Sequence, residues 1–169
     1  MQATITETAL QELTIGSAEA FAIPVAPTVH PLFTRLVDEC GAQWVDLDNI
    51  DAYLAERDDV VTALVIAGDP VRFPEGLDVA VVLPELHALF PTQSRMAIAT
   101  SRDEDAIAKR FAATSRPSLV MLRGTQYINT IIGILDWDDY VARFGEALSA
   151  PTQRVPIAIT NLSSGSSCA

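Results

Sequence analysis

The run VVTALVIAG at residues 60–68 constrains the fold of this chain most, because it is apolar almost without interruption and rich in β-branched side chains. A strand with one solvated face alternates apolar and polar residues, whereas a continuous apolar run is typical of a strand buried on both faces. Such strands lie inside α/β sheets that carry helices on each side. The run therefore predicts a central strand of an α/β sheet.

The segment FPEGLDVAVVLPELHALFP at residues 73–91 predicts a long helix with a proline, Pro84, in its interior. Proline cannot donate the helical hydrogen bond and bends the helix, so we expect a fold that is built around this bend. A second buried strand, RMAIAT at residues 95–100, follows. Strand, helix and strand in this order predict a parallel β-α-β crossover.

Shorter patterns complete a mixed β-sheet with helices on both faces. Residues 116–133 predict two strands joined at Arg123–Gly124–Thr125, which is an antiparallel hairpin. Further elements are expected as one strand at 43–47 and as helices at 30–41, 48–59, 101–115 and 136–149. We expect a domain at residues 29–150 with an extra N-terminal helix, an arm at 1–28 and a flexible tail at 151–169. The segment VPIAIT in that tail is open to two interpretations, a short strand or a partner-binding segment.

Two helix starts carry polar signals. Ser101 and Glu104 have the spacing of a capping box, and the neighbouring acids favour the positive end of the same helix. Asp136 is expected as the N-cap of the last helix, and Trp137 is placed on the apolar side of that helix.

The charge balance argues against some classes of function. The chain has 22 acidic and 11 basic residues, a net charge of −11, and no basic stripe that would meet the phosphates of a nucleic acid. No apolar run reaches the length that spans a bilayer, and the N-terminus lacks a secretory signal pattern. We therefore expect a cytoplasmic protein without membrane insertion. The acidic excess either keeps the protein in solution or attracts a basic partner.

The cysteines and histidines do not predict a metal or redox centre. Cys40 and Cys168 are too few for a disulfide framework, and Cys40 fits a small buried apolar residue. His30 and His87 lack metal-ligand spacing and are expected at the surface or at helix caps. No phosphate loop or Ser/His/Asp set is present, so the sequence predicts neither a cofactor nor an enzyme.

Residues 43–149 resemble thioredoxin. Pro84 matches the proline that kinks the active-site helix of that family, and Gly76, Leu77, Asp78 and Val79 then fall on the redox Cys-x-x-Cys. Pro117 matches the family's cis-proline beside the active site, and Gly133 matches a glycine in the same groove. The resemblance implies a thioredoxin-like α/β fold.

The departures from thioredoxin exclude its chemistry. Dithiol exchange needs one thiolate to attack and a second thiol to resolve the mixed disulfide, and residues 76–79 contain no sulfur. Ile66 stands where thioredoxins place a buried acid. What remains is a groove that holds extended peptides in the family.

A narrower resemblance covers residues 29–150. The segments HPLFTRLV, AGDPVRFPEGLDVAVVLPEL and SRPSLVMLRGTQY are similar to the HupG/HyaE/HoxO family of [NiFe]-hydrogenase expression/formation proteins. This resemblance implies a cytoplasmic, non-catalytic chaperone. It would bind the twin-arginine signal peptide of the hydrogenase small-subunit precursor before export. A second hydrogenase accessory protein is a further expected partner.

The candidate partner-binding residues surround the former redox site: Glu75, Gly76, Leu77, Asp78, Val79, Arg116, Pro117 and Gly133. Arg116 either lines the groove or is a plain surface residue. Asp103, Glu104 and Asp105 either bind the partner or stabilise a helix start, and we favour the helix start. Two other functions stay open, a scaffold that docks another accessory protein and a one-thiol redox protein that uses Cys168.

Overall fold

The computed structural model describes residues 29–156, which form five helices and five strands. Their order is α1 (Pro31–Asp38), β1 (Gln43–Val45), α2 (Ile50–Glu56), β2 (Val61–Ile66), α3 (Glu75–Leu89), β3 (Ser94–Ala99), α4 (Glu104–Arg110), β4 (Ser118–Arg123), β5 (Gln126–Ile132) and α5 (Trp137–Ser149). This order confirms the predicted succession of elements. The predicted arm at 1–28 and the end of the tail at 157–169, with Cys168, lie outside the described residues.

The five strands form one mixed sheet in the order β1-β3-β2-β4-β5. Strands β1, β3 and β2 run parallel, while β4 is antiparallel to both β2 and β5. Strand β2 is the middle strand, and all six of its residues are buried. The central strand, the crossover through α3 and the terminal hairpin are therefore confirmed, and together they make the thioredoxin-like topology.

Two apolar cores cover the two faces of the sheet. Alternate residues of β2 divide between them: Val61, Ala63 and Val65 belong to the first core, Leu64 and Ile66 to the second. Helices α1, α3 and α5 contribute to the first core, and α2 and α4 contribute to the second. Helices therefore flank the sheet on both sides, and α1 is the extra N-terminal helix.

Helix α3 contains Pro84 and packs tightly near its start. Its residues Gly76, Val79 and Ala80 are buried. A Cβ atom at Gly76 would lie 2.7 Å from the carbonyl oxygen of Ala67, the residue that follows β2. Glycine is therefore required here by the close approach of two backbones.

The capping prediction at α4 is wrong. The helix begins at Glu104, and neither Ser101 nor the N-cap residue Asp103 caps it with a side chain. The Asp103 carboxylate instead accepts a hydrogen bond from the Leu47 N–H at 3.1 Å, and Glu104 turns toward the end of β2. Asp103 and Glu104 therefore bind backbone groups that are distant in the sequence, and their carboxylates do not cap the helix as the local pattern predicts.

The start of α5 differs from its prediction in two respects. Asp136 does occupy the N-cap position, although its side chain makes no capping hydrogen bond. Trp137, expected on the apolar side, is 45% exposed. Tyr140 and Phe144, further along the helix, carry the packing and are fully buried.

The chain after α5 stays against the domain as far as Pro156. The Gln153 N–H donates to the Tyr127 carbonyl at 2.7 Å and pairs with the edge strand β5. Arg123 donates to the Ala150 carbonyl at 3.1 Å, and Val155 packs against the second core. The first part of the predicted tail thus follows the edge of the sheet.

Candidate functional site

Pro117 and Gly133 meet at the end of the β4–β5 hairpin. The Arg116–Pro117 peptide bond is cis, as predicted. The Gly133 N–H donates to the Pro117 carbonyl at 2.9 Å, and the Tyr140 hydroxyl donates to the Gly133 carbonyl at 2.8 Å. Gly133 has φ +72°, a conformation that favours glycine. The proline turn, the end of β5 and the start of α5 are therefore joined by hydrogen bonds.

The residues that align with the redox motif form the first turn of α3. Gly76 and Val79 are buried, Leu77 is half-buried, and the carboxylates of Glu75 and Asp78 are exposed. Of the five predicted residues here, Glu75 and Asp78 therefore place charged groups at the surface.

Tyr140 is the buried hydroxyl of this hydrogen-bonded group. Burial raises the pKa of the Tyr140 hydroxyl, and the negative charge of Asp78 raises it further. Through Tyr140, the structure brings the predicted residues Pro117 and Gly133 together at the start of α5.

Arg116 is not a plain surface residue, since only 15% of its side chain is exposed. It pairs with Glu104 at 3.3 Å and with the exposed Asp105 at 2.7 Å. Its aliphatic part lies over Gly68, where a Cβ atom would come within 2.9 Å of the Arg116 Cγ. Arg116 lines a hollow of about 420 Å³ together with Gly68, Phe73 and Glu104. Pro117, Gly133 and residues 75–79 do not line this hollow, so a place for Arg116 in the predicted groove stays a prediction.

Glu104 is the buried acid that joins three loops of this site. Its Oε1 accepts hydrogen bonds from the Gly68 N–H at 2.7 Å and from the Arg116 Nε at 3.3 Å. Burial raises the pKa of the Glu104 carboxyl, although the Gly68 hydrogen bond and the Arg116 charge oppose this. Glu104 thus ties the start of α4 to the end of β2 and to the residue before Pro117. Sequence reasoning assigned Glu104 to a helix start, because no local pattern reveals a partner twelve positions away.

Three large apolar side chains beside Gly133 are exposed, and sequence reasoning missed them. Ile132 is 51% exposed, Ile134 is 43% exposed and Trp137 is 45% exposed. Their neighbours Asp136, Asp138 and Asp139 are exposed as well. We call these six residues the apolar–acidic patch. The available signal was the run IIGILDWDD itself, in which apolar residues continue past the end of a strand.

Within residues 29–156, no three His, Cys, Asp or Glu side chains are placed to hold a metal ion. In the same range, no helix combines the length and the apolar character needed to cross a membrane. Cys40 is half-buried and has a free thiol. His30 caps α1, since its Nδ1 accepts a hydrogen bond from the Leu32 N–H at 3.3 Å.

Comparison with known proteins identifies the family. The family model "Hydrogenase-1 expression protein HyaE" matches residues 32–140, more than half of the chain. The chain belongs to this family. The hydrogenase expression/formation protein HoxO of Cupriavidus necator is 47% identical over 151 residues, which cover 86% of this chain and 92% of HoxO.

Solved structures include a relative and a thioredoxin. The hydrogenase expression/formation protein HupG of Rhodopseudomonas palustris is 35% identical, with a TM-score of 0.46 over 63% of this chain and 94% of HupG. Thioredoxin f2 of Chlamydomonas reinhardtii is 17% identical, with a TM-score of 0.48 over 63% of this chain and 95% of the thioredoxin.

Proposed function

We propose that this protein is a non-catalytic chaperone in the maturation of an uptake [NiFe]-hydrogenase. Its client is the small-subunit precursor, which it binds in the cytoplasm through the twin-arginine signal peptide before export. The observation that carries the proposal is membership of the HyaE family together with 47% identity to a hydrogenase expression/formation protein.

The residues at the former redox site support binding rather than catalysis. Gly76 and Val79 stand where thioredoxin has its two cysteines, and both are buried in the first turn of α3. Without sulfur at either position, this turn cannot form or resolve a mixed disulfide. The turn of Pro117 and its hydrogen bond to Gly133 are nevertheless present. The proline turn is thus retained while the reactive thiols are absent, which supports binding over thiol chemistry.

The charges of the protein also fit this client. A twin-arginine signal has a basic end and an apolar core, whereas this chain carries a net charge of −11. The exposed Glu75 and Asp78 place two carboxylates at the start of α3. Opposite charges accelerate encounter and suppress wrong partners, so an acidic rim suits a basic peptide.

Capture of the precursor tests the proposal. Purified protein is incubated with the small-subunit precursor and, in parallel, with the same subunit lacking its signal peptide. We expect capture of the precursor and little capture of the truncated subunit. Equal capture of both forms would refute signal recognition and favour the alternative, a scaffold that docks other hydrogenase components. Binding of a second accessory protein is tested in the same assay by adding that protein with and without the precursor.

A further inference from the structure

The apolar–acidic patch is unusual in how much apolar surface it exposes within a short segment. Ile132, Ile134 and Trp137 lie within six residues, and each is more than 40% exposed. Leu135 between them packs against the first core, which fixes the segment to the domain. A concentration of large apolar side chains at the surface is typical of an interaction site rather than of a solvated loop.

The charge around these side chains has a single sign. Asp136, Asp138 and Asp139 are exposed, and no lysine or arginine occurs in the sequence between Arg123 and Arg143. Arg123 is turned away from this segment, because its guanidinium donates to the carbonyl of Leu148 at 2.8 Å. A partner that buries the apolar side chains therefore meets three carboxylates that lack a basic neighbour along the chain.

The backbone next to the patch favours an extended partner. Strand β5 is an edge strand of the sheet, and Ile132 is its last residue. On its outer side, β5 pairs with the segment that follows α5. Within residues 29–156 this pairing is an isolated bridge between Tyr127 and Gln153. The half of β5 that leads to Ile132 has no such strand beside it in the same range. Exposed strand edges bind extended segments through main-chain hydrogen bonds.

We propose that the apolar–acidic patch is the docking surface for an extended peptide with an apolar stretch next to basic residues. The apolar stretch lies on Ile132, Ile134 and Trp137, and the basic residues meet Asp136, Asp138 and Asp139. This inference rests on the proposed function, because it identifies the peptide with the signal segment of the precursor. It adds a surface on β5 and α5 to the predicted residues of α3 and the proline turn.

The test measures the affinity of a synthetic twin-arginine signal peptide for the full chain and its variants. Trp137→Ala and Ile134→Ser are each expected to weaken binding about tenfold or more, as central apolar contacts do. The triple variant Asp136→Asn, Asp138→Asn, Asp139→Asn is expected to weaken binding and to flatten its dependence on salt. Trp137 also provides a direct signal in a Trp44→Phe background, where its fluorescence should shift to shorter wavelength when the peptide covers it.

The matched apolar control follows β1, which is the edge strand opposite β5. Leu47→Ser removes an apolar side chain that is 49% exposed just after β1. A second triple variant, Asp38→Asn, Glu39→Gln and Asp58→Asn, removes the same amount of charge elsewhere. Both controls should bind like the wild type. If the wild type binds the peptide but the patch variants and the controls are indistinguishable from it, the patch is refuted. If the wild type does not bind the peptide at all, the proposed function fails, and the inference fails with it.

Discussion

At the scale of single residues, Gly76 shows how the former redox site is packed. The carbonyl of Ala67 lies 2.7 Å from where a Cβ atom would be, so Gly76→Ala forces two backbones apart. Overpacking of this kind costs about 1–3 kcal/mol, while alanine in a helix gains up to about 1 kcal/mol over glycine. We therefore expect Gly76→Ala to lower the free energy of unfolding by about 1–2 kcal/mol, measured by urea denaturation.

A helical glycine elsewhere provides the control for Gly76. In α5, a Cβ atom at Gly145 would meet nothing closer than the Phe90 ring, at an ordinary 3.7 Å. Gly145→Ala should therefore stabilise the protein by up to about 1 kcal/mol. If both substitutions change stability by the same amount, the close contact between α3 and β2 does not constrain the site.

The buried carboxyl of Glu104 predicts a pH dependence of stability. Its pKa is raised in the folded protein, so the native state keeps the proton at a pH where the unfolded chain has lost it. The contribution of the Glu104 carboxyl to the free energy of unfolding is therefore present at low pH. It is lost as the pH rises from the ordinary glutamate pKa to the raised one. We expect the unfolding free energy of the wild type, minus that of Glu104→Gln, to fall as pH rises through this range.

Other groups titrate in the same range, and the difference between wild type and Glu104→Gln cancels them. Burial lowers the pKa of His87, for example, and that contribution is common to both proteins. A difference that stays constant would show that Arg116 and the Gly68 N–H offset the burial of Glu104, and a difference that grows with pH would show that they outweigh it.

At the scale of elements, the segment after α5 acts as an additional edge of the sheet. Gln153 pairs with Tyr127, and Val155 covers the second core. A chain that ends at Ala150 loses both contacts, whereas a chain that ends at Pro156 retains them. We expect the shorter form to be less stable than the longer one by about 1–2 kcal/mol, measured by thermal and urea unfolding. Equal stability of the two forms would mean that residues 151–156 do not contribute to the fold.

The sequence predicted elements well where the pattern extended over many residues. The apolar run of β2, the long α3 with Pro84 and the hairpin around Gly124 all appear as expected. The prediction failed at helix starts, because a capping pattern covers only four residues and tertiary partners outweigh it at Glu104. Trp137 was misplaced because helical periodicity does not reveal that the first turn of α5 extends past the core.

The site was only partly visible in the sequence. The pairing of Pro117 with Gly133 followed from a family resemblance and not from local chemistry. The bond between Glu104 and Arg116 joins residues from different elements, so it required the folded chain. The exposure of Ile132 and Ile134 likewise depends on where β5 leaves the sheet, which composition alone does not determine.

At the scale of the whole molecule, chaperone activity and thiol chemistry lead to opposite expectations for Cys168. Cys168→Ala should leave hydrogenase maturation unchanged, because binding a precursor requires no thiol. The measurement is hydrogenase activity in cells that carry the variant in place of the wild-type protein, with equal protein levels confirmed by immunoblot. Loss of activity in Cys168→Ala would support the one-thiol redox function instead.

The central claim is that the face of the former redox site binds the precursor. Hydrogen exchange of this protein, measured with and without the precursor, tests it most directly. We expect slower exchange at residues 75–79, 116–119 and 131–140 in the complex, with no change at α2 (Ile50–Glu56), which packs on the other face of the sheet. Protection confined to α2, or unchanged exchange across the first three segments despite binding, would contradict the claim.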